Sequence, residues 1–177
     1  MGIDVVLTVA GVARAGYASQ WGAESVLQQI AEAQHKPMVA VEGEEVALDQ
    51  LANFPQGTQI QLLEKTVSDI ETGQDLVDVA AAAAAWRAGD VRRIEESANR
   101  AIESLPPAAR MAMIGLMNRG RNPSMVAHIE SFLESNKVYF VAVGMFHIVG
   151  SDGIAEALRR AGYDVIQKSP SSSSMRQ

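Results

Sequence analysis

The chain has 177 residues, 47% of them hydrophobic and 20% charged, with a net charge of −6 and no cysteine. That length suits one domain around a single core, and the composition is far from the polar, highly charged profile of a disordered chain. The acidic balance, with no local Lys/Arg stripe, argues against nucleic acid, and the lack of thiols leaves histidine and carboxylate as the available metal ligands.

In chain order, residues 5–12 form an apolar run, but Asp4 stands where a signal peptide carries positive charge. The run reads as folded, and residues 2–36 read as mainly helical, with Val26, Leu27 and Ile30 on one face. Pro37 forbids continuation of the helix past His35 and Lys36. Residues 38–41, Met-Val-Ala-Val, fit a buried parallel strand that delivers Glu42 at its C-terminal end. Helices are predicted over 45–53 and 58–72, with Leu62, Leu63, Val67 and Ile70 as the buried stripe of the second. An alanine-rich helix follows over 75–88, with Trp86 as a core anchor. Its alanine run, 80–85, is far short of the roughly 20 apolar residues that span a bilayer.

Gly89 ends that helix and Asp90 caps the next, which runs towards Leu105. Pro106 and Pro107 punctuate the chain, a helix resumes over 108–118, and another starts after Pro123 with Ser124 as its N-cap. Met111, Met113, Met117 and Met125 read as core packing. Residues 138–143, Val-Tyr-Phe-Val-Ala-Val, carry the strongest strand signal in the chain. A helix over 154–161 and a short strand over 163–166 complete a βαβ pattern, and the serine-rich stretch 168–177 reads as a disordered tail. The domain is thus 1–167. The fold class predicted is α/β, or α+β with many helices: a small, mainly parallel sheet flanked by helices.

In open parallel sheets, ligands bind beyond the carboxyl ends of the strands. Two polar candidates stand there. His147 follows the 138–143 strand and a glycine turn, as a metal ligand or general base, or as a half-buried histidine satisfied by a carbonyl. Glu42 reads equally as a ligand or base and as part of an acidic first helical turn with Glu44 and Glu45. Arg121 can bind an anionic substrate group or orient a carboxylate, and Asn122 can line the same site or cap a helix. Gly144 and Gly150 supply backbone freedom around the turn. His35 and His128 read as surface residues.

The succession Arg121-Asn122, a helix, Phe140-Val-Ala-Val-Gly144, Gly144-x-x-His147, Gly150-x-x-Gly153 and a helix ending in Ala161-Gly-Tyr163 resembles the C-terminal signature of the TraB/PrgY/GumN family. Lys36-Pro37 with the run into Glu42, Trp86-Arg-Ala-Gly-Asp90 and Gly2-Ile-Asp4 resemble further family blocks. Departures stand at Ala40, Val41, Gly43 and the Val46-Ala47 pair.

The resemblance implies an EreA/ChaN-like fold and metal-dependent, peptidase-like hydrolysis. Glu42 and His147 would be the catalytic and metal-holding residues, Arg121 and Asn122 would contact a peptide or small substrate, and manganese, cobalt or zinc would be the ion. Relatives resembling the Tiki metalloproteases carry a further G-x-x-H turn ahead of the region matched here, so this chain is expected to be a truncated domain with an incomplete site. The alternative is a non-catalytic regulatory or binding protein, comparable to relatives linked to pheromone shutdown or haem. A sheet short of strands leaves an open edge, which favours a homodimer. The family is often exported, but these residues show no signal peptide or transmembrane segment.

Overall fold

The computed structural model describes residues 3–43, 53–115 and 120–168. Nine helices are described: α1 (Ile3–Arg14), α2 (Ala23–Ala33), α3 (Gln56–Thr72), α4 (Gln74–Ala88), α5 (Val91–Glu103), α6 (Pro107–Ile114), α7 (Asn122–Leu133), α8 (Met145–Ile148) and α9 (Ile154–Arg160), with a short 3-10 turn at Ser19–Trp21. The helix expected over 45–53 and the serine-rich tail fall almost wholly outside the described residues.

Helix boundaries follow local chemistry. Gly73 takes φ 74° between α3 and α4, and Gly89 takes φ 63° after α4. Both conformations are left-handed, which glycine adopts without a Cβ penalty. Asp90 caps α5 as expected, its Oδ1 accepting from the Arg93 backbone N–H at 3.1 Å. Replacing Asp90 with alanine is expected to cost about 1 kcal/mol of stability in urea titrations, the usual value of a lost cap. α7 begins two residues earlier than the sequence suggests, because Pro123 sits in its first turn. There its missing N–H is harmless, so Ser124 is not the cap.

α1, α3, α4, α5 and α6 pack as a helical bundle, and α7, α8 and α9 form a second group joined to it through α8 and α5. There are two small cores among the described residues. Ala85 of α4 and Ile94 of α5 meet Val149 at the junction of the two groups, with Met145 and Phe146 of α8 against them. Met125, Ile129 and Ile154 form the other, joined by Val41, Val126, Val141, Val143 and Leu158. Trp86 is no anchor of either: it is 57% exposed, on the outer side of α4. Of the methionines taken for core, Met125 is buried and Met111 is exposed.

The predicted parallel sheet is absent: no strand is paired among the described residues, which are mainly helical. The α/β assignment is therefore corrected to a helical architecture carrying extended segments. Residues 38–41, 138–143 and 163–166 lack regular secondary structure, and 138–143 takes part in no backbone–backbone hydrogen bond among the described residues. β-branched residues specify extended backbone and alternation, whereas a sheet also needs a second backbone in register. Here the inward residues Val41, Val141 and Val143 find helices α7 and α9 instead of a strand. The Val41 carbonyl is taken by the His128 ring, Nδ1 to O 2.7 Å.

Candidate functional site

The first two extended segments and the start of α7 meet at one place. Val41 and Val141 dock on the same core, which brings the residues that follow them, Glu42 and the Gly144–His147 turn, towards the N-terminus of α7. Arg121 directly precedes α7 and Asn122 opens it. All four predicted site residues therefore fall into one cluster.

Glu42 and Arg121 form a bidentate pair. Arg121 Nε donates to Glu42 Oε1 at 2.8 Å and Oε2 at 3.0 Å, and Nη2 donates to Oε2. Both side chains are largely enclosed, 13% exposed for Glu42 and 18% for Arg121. The planar guanidinium fork matches a carboxylate. It holds the Glu42 carboxyl below the usual carboxylate range despite the opposing effect of burial. The same bond raises Arg121.

Asn122 is 3% exposed and its side chain is fully used. Its Nδ2 donates to the backbone carbonyls of His147 at 3.2 Å and Asp152 at 2.7 Å. Two carbonyl acceptors fix which end of the amide is nitrogen. The oxygen, Oδ1, then faces His147 Nδ1 at 2.7 Å. An amide oxygen only accepts, so Nδ1 carries the proton and Nε2 keeps its lone pair. Burial lowers the His147 pKa, the Arg121 charge lowers it further, and the Glu42 charge raises it. At neutral pH the ring is an uncharged base with a defined tautomer.

The glycines differ. Gly150 takes φ 84°, and Gly153 approaches the Ile148 and Val149 carbonyls so closely that a Cβ would lie 2.4 Å from each oxygen. Gly144 has φ −56°, open to any residue, and a Cβ there would meet only His147 Cδ2, at 3.7 Å. Sequence reasoning missed two contributors: the Asp152 carbonyl, which shares Asn122 with His147, and His128, which ties down the residue before Glu42. A backbone acceptor has no sequence signal, and His128 is marked only by lying two turns into α7.

The donors gathered here do not fit a divalent ion by themselves. Such a centre takes three or four protein ligands, or three plus water. The cluster offers one imidazole nitrogen and one carboxylate already neutralised by a guanidinium. No group of three His, Asp or Glu that could hold a metal occurs among the described residues. No helix of the described residues is long and apolar enough to cross a membrane.

No curated protein and no solved structure matches the chain. The TraB/PrgY/gumN family model matches residues 3–167, nearly the whole length, and takes in Glu42, Arg121, Asn122 and His147; the chain belongs to the TraB/PrgY/gumN family.

Proposed function

We propose that this cluster is the imidazole-bearing wall of a hydrolytic centre for peptide-type carbonyl substrates, with His147 Nε2 as its reactive atom. The supporting observation is the Asn122 side chain, which leaves Nε2 unprotonated and fixes the ring plane. An imidazole whose other nitrogen donates to a fixed oxygen is oriented for ligation or proton abstraction. Glu42 is not the proton shuttle in this reading, because a carboxylate held ionised by arginine accepts protons poorly near neutrality. It serves with Arg121 as a charged brace beside the ring. Metal dependence, on manganese, cobalt or zinc, requires His147 to act with further donors from outside the described residues.

Purified protein offered each ion and a peptide library tests this. Hydrolysis is expected, and His147→Ala is expected to reduce it by at least about 100-fold, the scale of a lost general base. Unchanged turnover in that variant removes His147 from the site.

A second reading, non-catalytic ligand binding, is favoured by the Glu42–Arg121 pair, which leaves the cluster a single free donor. It predicts no turnover and no metal uptake in calorimetry. Tight stoichiometric metal binding counts against it.

A further inference from the structure

We propose that His128 is a positioning residue for the candidate site: a clamp on the Val41 carbonyl that sets the aim of the Glu42 carboxylate at Arg121. The ring's Nδ1 lies 2.7 Å from the Val41 oxygen. A carbonyl only accepts, so Nδ1 donates. That oxygen shares one rigid plane with the Glu42 N–H and Cα. Holding it therefore fixes the point from which the Glu42 side chain starts.

Glu42 needs a fixed start because its bond to Arg121 is two-pronged. Arg121 Nε donates to Oε1 at 2.8 Å and Nη2 donates to Oε2, a match of fork to carboxylate with little angular freedom. A turn of the carboxylate leaves one prong without its acceptor, in a pair that is largely enclosed. α7 supplies the contacts that prevent it. The Val41 side chain packs on the core of Met125 and Ile129, and the His128 ring takes the Val41 carbonyl.

Helix geometry joins the two ends of this arrangement. His128 follows Arg121 by seven residues, about two turns, so both stand on one face. One rigid element thus holds two consecutive residues of the extended segment, Val41 by its backbone and Glu42 by its carboxylate. The charges of Glu42 and Arg121 both reach the His147 ring, and the clamp acts on His147 only through them. Its part in hydrolysis rests on the function proposed above. The clamp itself does not, and its test reads no turnover, so the two fail separately.

Hydrogen exchange at Arg121 Nε, followed by nitrogen NMR of the full chain, measures how often its pair with Glu42 opens. His128→Ala removes the clamp without weakening α7, since alanine is the better helix former. Exchange at Arg121 Nε is expected to rise by about 5-fold, the equilibrium equivalent of one ordinary hydrogen bond. The backbone amides of Met125 and Ile129 should exchange as in the parent. His128→Asn should restore the parent rate at Arg121, because asparagine Nδ2 is bonded to Cγ as imidazole Nδ1 is, and the two residues have similar helix propensity. Unchanged Arg121 exchange in His128→Ala overturns the proposal. So does a rise at Arg121 that the Met125 and Ile129 amides share, which a purely structural role would produce, or His128→Asn exchanging as fast as His128→Ala.

Discussion

Asn122→Ala is expected to destabilise the protein by about 2–4 kcal/mol, seen as a lower urea midpoint. The loss follows from three bonds made by one nearly buried amide: to the His147 carbonyl, the Asp152 carbonyl and the His147 ring. Alanine leaves those partners unmatched, and each enclosed polar group without a partner costs about 1–3 kcal/mol. Solvent reaches Asp152, which is exposed, so the lower part of the additive range applies. Asn122→Asp separates packing from hydrogen bonding. It keeps an acceptor for Nδ1 but loses both N–H donors, and its negative charge raises the His147 pKa. Nitrogen NMR of the His147 ring should show the Nδ1–H tautomer in the parent and a higher pKa in Asn122→Asp. A fully stable Asn122→Ala protein, or an Nε2–H ring in the parent, would contradict the described network.

The cluster was more legible in the sequence than the fold. Glu42 and His147 each follow an apolar run, and Arg121-Asn122 precedes a helix. Short polar segments at the ends of such runs converge wherever those runs share a core, and Val41, Val141 and Val143 do share one. The convergence did not need a sheet. Gly73, Gly89 and Asp90 were readable because helix ends are decided by local backbone demands. The sheet was misread because pairing is non-local: residues 138–143 have every intrinsic property of a strand and no described neighbour in register. Trp86 failed for a similar reason. An alanine run precedes it on a helix with almost no apolar asymmetry, so the sequence could not say which side faces the bundle. Asn122 was underread as a cap, since its partners lie 25 and 30 residues away in sequence.

Removing the Arg121 charge should act on stability and on its pH dependence together. In Arg121→Leu the Glu42 carboxylate stays enclosed without its partner, and stability at neutral pH is expected to fall by about 3 kcal/mol, the range found when one member of a buried pair is deleted. Glu42→Leu in the same chain should recover much of that loss, because the penalty lies in the unpaired charge; a double-mutant cycle measures the coupling. The parent should lose stability in two steps as pH falls. The unfolded state takes up a proton at His147 near the ordinary value of 6.5 while the folded ring, its pKa lowered, resists it. Stability is therefore full above that value and declines below it, down to the folded pKa. Glu42 has the same sign at lower pH. Its contribution is full above the ordinary 4.5 and is lost as pH falls through its depressed folded value. Arg121→Leu should flatten both steps, since the guanidinium is what depresses Glu42 and part of what depresses His147. Stability–pH curves of identical shape in parent and variant would mean that Arg121 governs neither group.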